Sequence, residues 1–260
     1  MKKEMYQHIQ NVEQTHWWYV ARRKIIFDWV LQTLADYSSP NILDIGCGTG
    51  FNIEYLQTRG YQQITGLDFS VDALGFCRSR RLTRLVCSEG TRAPFCGESF
   101  DVIMALDLIE HLADDVQTLQ ELERLLKPNG SLVIFTPAFN FLWGLQDEVS
   151  HHYRRYTAGE LRQKLARIGL HTCKLTYANT FLFPIIWAGR MALRLSRNNI
   201  QLTSENDLHP GWSNGLLQTI FAAERPLLRY INLPFGVSLL CVARKFASAH
   251  CLSVTKVSLR

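Results

Sequence analysis

The seven cysteines, at positions 47, 77, 87, 96, 173, 241 and 251, contain no Cys-x-x-Cys pair and are odd in number. A disulfide framework is therefore not expected, nor is a zinc site or any other bound metal. No apolar run follows the basic pair Lys2-Lys3, so no signal peptide is expected, and reduced thiols without an export signal point to the cytoplasm. The longest apolar stretch, residues 181–188, is too short to span a bilayer and is closed by Arg190 and Arg194. A contact peripheral to the membrane stays open there. Charge of one sign is also scarce: 28 Lys and Arg against 23 Asp and Glu leave +5. The basic residues fall in short groups at 22–24, 78–84 and 154–155 rather than in one stripe, so no nucleic-acid partner is expected. Repeats and low-complexity segments are absent, and a composition 47% hydrophobic and 20% charged excludes a disordered chain. At 260 residues the chain can bury the core of one elaborated domain.

What is present begins with a helical pattern over the first forty residues. It carries the aromatic cluster His16-Trp17-Trp18-Tyr19 and a second apolar set at Ile25, Ile26, Trp29, Val30 and Leu34. Ser38-Ser39-Pro40 stops it, because a residue before proline avoids the helical region. From residue 41 the period changes. Short apolar runs at 41–45, 64–68, 85–87, 100–106 and 131–136 read as buried strands, separated by helical stretches at 51–59, 71–79 and 115–126. Lys127-Pro128-Asn129-Gly130 marks a turn before the fifth run. A helix at 157–168 opens with the capping pair Thr157 and Glu160. Runs at 170–177 and 237–244 give two further strands. Strands alternating with helices imply an α/β fold, a parallel sheet with helices on both faces. Between the last two strands, residues 178–236 are rich in aromatics and prolines. They read as an inserted helical cap over the carboxyl ends of the strands, or equally as a packing surface that would serve a homodimer.

Gly46-x-Gly48-x-Gly50 follows the first strand directly and opens a helix. Glycines permit positive φ in a tight turn and let a ligand approach the backbone. Helix amino-terminal N–H groups favour a negatively charged group there. Asp44 precedes the turn, and Asp68 ends the next strand, where a carboxylate can accept both hydroxyls of a ribose. A dinucleotide fingerprint requires Gly-x-Gly-x-x-Gly, but Phe51 stands at the sixth position and no Tyr-x-x-x-Lys pair occurs. Both observations weigh against an NAD-dependent oxidoreductase or epimerase, which remains the alternative enzyme class.

LDIGCGTG at 43–50 followed by GLDFS at 66–70 resembles the first two signature segments of the class I S-adenosylmethionine-dependent methyltransferases, and in particular their ubiquinone- and sterol-type branch. SEGTRAPFCGESFDVIMALDLIEHL at 88–112 and LLKPNGSLVIFTP at 125–137 are similar to the segments that follow. The resemblance implies a Rossmann-like, doubly wound, seven-stranded sheet, mostly parallel with the last strand antiparallel. It implies an S-adenosyl-L-methionine-binding core at 41–177, a helical lid at 1–40, a cap at 178–236, and a last core strand with a tail at 237–260. The implied activity is methyl transfer to a small or amphipathic acceptor, such as a lipid-linked, quinone-like or natural-product molecule. A cofactor-binding partner protein without catalysis would show the same segments. Residue by residue, Gly46, Cys47, Gly48 and Gly50 would line the methionine portion, and Asp44 would hold its ammonium group. Asp68 would take the ribose hydroxyls, with Phe69 against the adenine. Glu89 stands where the family has an aspartate facing the adenine amino group, and Asp107 would lie near the sulfonium. Trp18 and Arg22 fall in a segment resembling one that folds over the cofactor, where tryptophan excludes water and arginine can pair with a carboxylate bidentately.

Methyl transfer from a sulfonium is an in-line displacement, so alignment of the acceptor's lone pair with the methyl carbon is the protein's main task. A base is needed only where the acceptor must lose a proton. His111, His151 and His152 are the candidates, the last two lying past the fifth strand on the side where a substrate would enter. Tyr153, Arg155 and Tyr156, in the same segment, are the candidates for substrate contact.

Overall fold

The computed structural model describes residues 3–195 and 211–246. Cys251, the rest of the expected tail and part of the expected cap lie outside the described residues. Two helices open the chain, α1 (Lys3–Val12) and α2 (Trp17–Leu34). His16 separates them and caps α2, its Nδ1 accepting from the Trp18 N–H at 3.2 Å. The sheet contains β1 (Ile42–Ile45), β2 (Ile64–Asp68), β3 (Leu85–Cys87), β4 (Phe100–Leu106), β5 (Leu126–Pro137), β6 (Leu170–Ala178) and β7 (Ser238–Lys245). Their order is β3-β2-β1-β4-β5-β7-β6. Every pairing from β3 to β5 is parallel, and β7 runs antiparallel to both of its neighbours. The expected seven-stranded arrangement, with only the last strand reversed, is the one observed.

The short apolar runs form strands because both faces of the sheet are covered. All positions of β1 and β2 are buried, as a parallel strand between two helical layers requires. Ile42, Val102, Met104 and Val133 point into one core, while Leu43, Ile45, Ile103 and Leu132 point into the other, following the two-residue period of the pleat. Three of the helices between strands begin at side-chain caps. Ser70 accepts from the Ala73 N–H at 3.3 Å to start α4 (Val71–Ser79), which follows α3 (Phe51–Gln57). Asp114 accepts from the Gln117 N–H at 2.9 Å to start α5 (Asp115–Leu125). After a short α6 (Leu145–Val149), the capping box of Thr157 and Glu160 starts α7 (Ala158–Arg167), and Gly169 at φ +83° ends that layer.

One boundary differs from expectation. The turn at 127–130 does not precede the fifth strand but lies inside it, with Asn129 at φ +64°. Pairing with β4 jumps there from Phe100↔Leu126 to Val102↔Ser131, so the irregularity is absorbed as a bulge.

The segments on either side of the core meet each other. From the inserted stretch, α8 (Phe183–Leu195), α9 (Asn214–Ala222) and α10 (Arg225–Tyr230) are helical. The Asn214 amide accepts from the Trp17 N–H at 2.7 Å and donates to the Thr15 carbonyl at 2.9 Å. Arg225 and Arg229 both donate to Asp28 of α2. No helix among the described residues is long and apolar enough to cross a membrane.

Candidate active site

The carboxyl edge of the sheet opens into a cavity of about 410 Å³. Its floor at one end is the glycine turn, with Gly46, Gly48 and Gly50 at φ +71°, +54° and +78°. A Cβ built on Gly48 would meet nothing within 4 Å, so open space faces the backbone there. A Cβ on Gly50 would run into Leu82 and Cys77 at 2.6 and 2.9 Å, so that glycine serves packing behind the turn. The N–H groups of the turn are largely spent internally, a departure from expectation. Gly46 and Cys47 donate to the Leu67 carbonyl at 2.7 and 3.1 Å, Gly50 to the Cys47 carbonyl at 2.9 Å, and Gly48 to Asp68 Oδ2 at 2.9 Å. What the turn offers is close approach rather than a ring of donors. Cys47 lines the cavity as a neutral thiol, its proton held by the Cys77 contact and by burial.

Two buried carboxylates, Asp44 and Asp68, back the glycine turn without lining the cavity themselves. Asp44 is 1% exposed and its Oδ2 has no partner. Burial, followed by the nearby Asp68, pushes its carboxyl up to about 7, with Arg22 opposing. Asp68 accepts from the N–H groups of Gly48 and Ser70, both at 2.9 Å, which ties β2 to the glycine turn. An orphaned carboxylate beside bare glycine backbone fits the ammonium end of a methionine tail. Phe69 and Glu89, expected at the adenine, lie exposed on the outer side.

The N-terminal helices cover the turn with residues that their sequence did not single out. Tyr6 and Glu13 line the cavity. Glu13 accepts from Thr49 Oγ1 at 2.6 Å and pairs with Arg80, which also holds Glu54. Arg22 pairs with Asp107 beneath the Trp18 ring, 4.8 Å from its centroid. Arg23 lies 3.8 Å over Phe51 instead. Of these two arginines, Arg22 is the one facing the end of β4.

Past Asp107 the cavity becomes a histidine site. Glu110 is fully buried; it accepts from Thr136 Oγ1 at 2.9 Å through Oε2 and leaves Oε1 without a partner. The His111 and His152 rings stand edge to face, centroids 4.5 Å apart. Burial, with His152 beside it, pushes the His111 imidazole down to about 3, so it stays neutral. His152 Nδ1 lies 2.8 Å from Asp147 Oδ1, leaving Nε2 as its free nitrogen. Glu110, His111 and His152 each offer a ligand atom within 4.8 Å of the others, making them the grouping among the described residues able to hold a cation.

The remaining expected residues are sorted by the fold. His151 is exposed at φ +55° and does not line the cavity. Tyr153 is 61% exposed. Arg155 is buried, donating to both Asp147 oxygens at 2.8 Å and to the Ala138 carbonyl. Tyr156 is buried, donating to Asp115 Oδ2 at 2.6 Å. Tyr156 does not line the cavity and its hydroxyl is taken by Asp115, whereas Arg155 lines the cavity while its guanidinium is held by Asp147 and the Ala138 carbonyl. Asp147, Glu110 and Asn179 were not singled out in the sequence, and no local pattern around them would have done so.

Comparison with known proteins bears on part of this architecture. The methyltransferase domain family matches residues 43–134. Residues 43–134 are a methyltransferase domain. The family and the fold imply S-adenosylmethionine as the methyl donor of that domain. The biotin biosynthesis bifunctional protein BioHC of Cellvibrio japonicus is 28% identical over 190 residues, which cover 70% of this chain and 36% of that protein. The ubiquinone biosynthesis O-methyltransferase of Aeromonas salmonicida is 29% identical, covering 42% of this chain and 48% of that one. A mouse tRNA (carboxymethyluridine(34)-5-O)-methyltransferase, ALKBH8, is 31% identical over 46% of this chain and 17% of its own length. The chain thus spans less than half the length of these relatives. Among solved structures, a chain of the Haloferax volcanii complex of the Trm112 methyltransferase activator superposes with a TM-score of 0.61 at 19% identity, covering 95% of this chain and 96% of that one. The [4+2]-cyclase SpnF superposes with a TM-score of 0.58 at 19% identity, covering 88% and 81%. At these identities the superpositions speak for the fold.

Proposed function

We propose that the chain transfers a methyl group from S-adenosylmethionine to a small, amphipathic acceptor bound between the end of β4 and α8. The observation that carries this reading is one continuous cavity, with the glycine turn, backed by the buried and orphaned Asp44, at one end and His111, His152 and the α8 wall at the other. When bound, the cofactor supplies an electrophilic methyl group on a sulfonium. Asp44 holds the ammonium of its tail, and Gly46 and Gly48 give the tail room against the backbone. Asp68, already fixed by two backbone N–H groups, keeps lone pairs for the ribose hydroxyls. Trp18 and the Arg22–Asp107 pair close the cavity against water, which favours alignment of acceptor and donor.

At the acceptor end, His152 rather than the exposed His151 meets the reacting group. Asp147 fixes its ring by holding Nδ1, so that Nε2 takes up the acceptor's proton. An apolar wall including Pro137, Ile186, Leu193 and Val237 suits an amphipathic body. Arginines that could otherwise read a nucleic-acid backbone are engaged elsewhere: Arg80 with Glu13, Arg154 with Asp115, and Arg225 and Arg229 with Asp28. The tRNA-acting relatives make an RNA acceptor the second reading. The cyclase neighbour is a reminder that one fold hosts several chemistries. The test is release of S-adenosylhomocysteine during incubation with S-adenosylmethionine and a panel of amphipathic hydroxyl and carboxyl compounds, with bulk tRNA as a separate arm. Turnover with a small compound supports the reading. Turnover with tRNA alone overturns the acceptor class, and calorimetric binding of NAD but not of S-adenosylhomocysteine overturns the cofactor.

A further inference from the structure

At the far end of the cavity from the glycine turn, β5, β7 and β6 end side by side, Pro137 paired with Ser238 and Ser238 with Ala178. Asn179 is the next residue beyond that row. It lies at φ +60°, is 0% exposed, lines the cavity, and neither its Oδ1 nor its Nδ2 has a partner. A buried amide with both polar atoms unmatched is uncommon in folded proteins, and a non-glycine residue held in the left-handed region points to a site.

The backbone around it cannot swing to relieve the amide. The Phe181 N–H donates to the buried Glu224 carboxylate at 2.7 Å, and Thr180 Oγ1 donates to the Phe235 carbonyl. Gly236 is pressed against Ala178, where a Cβ would approach the carbonyl oxygen to 2.4 Å. The side chain is thus fixed in the cavity wall, presenting a donor and an acceptor side by side.

We infer that Asn179 recognises the distal end of the methyl acceptor, and that this end carries an amide-type group, a carboxamide, lactam or imide, with donor and acceptor atoms adjacent. The inference rests on the methyl-transfer reading for the near end of the same molecule. It also sets a length. From β4, where Asp107 and the histidine site lie, to β6 is three strand steps, about 14 Å at roughly 4.8 Å each. The wall between is largely apolar, with Pro137 and Val237 from the strand ends and Ile186 and Leu193 from α8, beside Ser238 and an Arg190 that donates to the Leu142 carbonyl. The acceptor is therefore elongated, apolar in its middle, and polar at both ends.

The test uses octanamide and methyl octanoate, similar in length and differing in the N–H donor, titrated calorimetrically into the full chain saturated with S-adenosylhomocysteine. Octanamide is expected to bind about tenfold more tightly, the discrimination a site built for a polar group shows against an analogue lacking it. In Asn179→Gly, which suits the positive φ and removes the whole side chain with its amide, the preference is expected to disappear. This variant should keep the thermal midpoint and S-adenosylhomocysteine affinity of the parent. Equal binding of the two probes, binding of neither, or a preference surviving in Asn179→Gly would overturn the inference. If S-adenosylhomocysteine itself fails to bind, the methyl-transfer reading falls instead, and the probe comparison on the ligand-free chain still decides the amide.

Discussion

Replacing Asp44 by asparagine removes one ionisable group from a side chain that is 1% exposed and whose Oδ2 has no partner. Burial and then Asp68 hold the carboxyl at about 7 against an ordinary 3.8, and Arg22 opposes them only in part. The folded protein therefore keeps this proton more tightly than the unfolded chain. Its contribution to stability is complete below pH 3.8 and is lost as pH rises through about 7. At about 1.4 kcal/mol per pH unit the loss is about 4 kcal/mol. An ammonium group placed beside Asp44 supplies the missing counter-charge, so ligand binding below pH 7 must expel the proton. S-adenosylhomocysteine affinity should rise by up to about tenfold per pH unit between pH 5.5 and 7. Calorimetry in buffers of different ionisation enthalpy should count the release of about one proton at the acid end. In Asp44→Asn the pH dependence should flatten, the affinity at pH 7.5 should fall by about 2–3 kcal/mol for the lost charged partner, and the ligand-free protein should be more stable than the parent at that pH. Parallel pH profiles for parent and variant would refute the reasoning, since the proton would then belong to another group.

Two further predictions concern the frame of the site. Glu224 is fully buried and pushed by burial up to about 7 from 4.5, despite backbone N–H donors on its carboxylate. Being raised, its contribution is present below pH 4.5 and lost through about 7, so Glu224→Gln should remove about 3 kcal/mol of the parent's stability loss between those pH values, read by urea unfolding at pH 5 and 7.5. Asp147→Ala strands a buried Arg155 and frees the His152 ring, and should cost about 3–5 kcal/mol in the same unfolding assay. A loss under 1 kcal/mol would mean that the ion pair is not what holds this loop.

The sheet was readable because most of its strands are short, largely apolar runs bounded by turn residues, and β1, β2 and β4 are buried along nearly their whole length. The cap at Thr157 is equally local, satisfied by Glu160 three residues on, whereas the glycine turn is marked by residue type although Leu67 and Asp68 satisfy it from the next strand. Asp44 and Asp68 were legible for the same reason, standing where a polar residue has no business unless something polar meets it. The bulge inside β5 was not legible, because a turn and an irregular strand share the Lys-Pro-Asn-Gly signal and only pairing with β4 separates them.

Residue spacing along the chain sets the alternation of elements, the placement of the glycine turn at a strand's end, and the carboxylates flanking it. These depend on spacing, and spacing survives without a structure. Tertiary structure alone decided which of two adjacent histidines enters the cavity, because a single left-handed residue at His151 turns His152 inward toward Asp147. It also turned Arg155 and Tyr156 into the core by giving them Asp147 and Asp115 as partners, and it brought Glu13, Glu110 and Asn179 to one cavity from distant parts of the chain. Such choices follow from which buried polar atoms find partners across the fold, and no run of neighbouring residues encodes them.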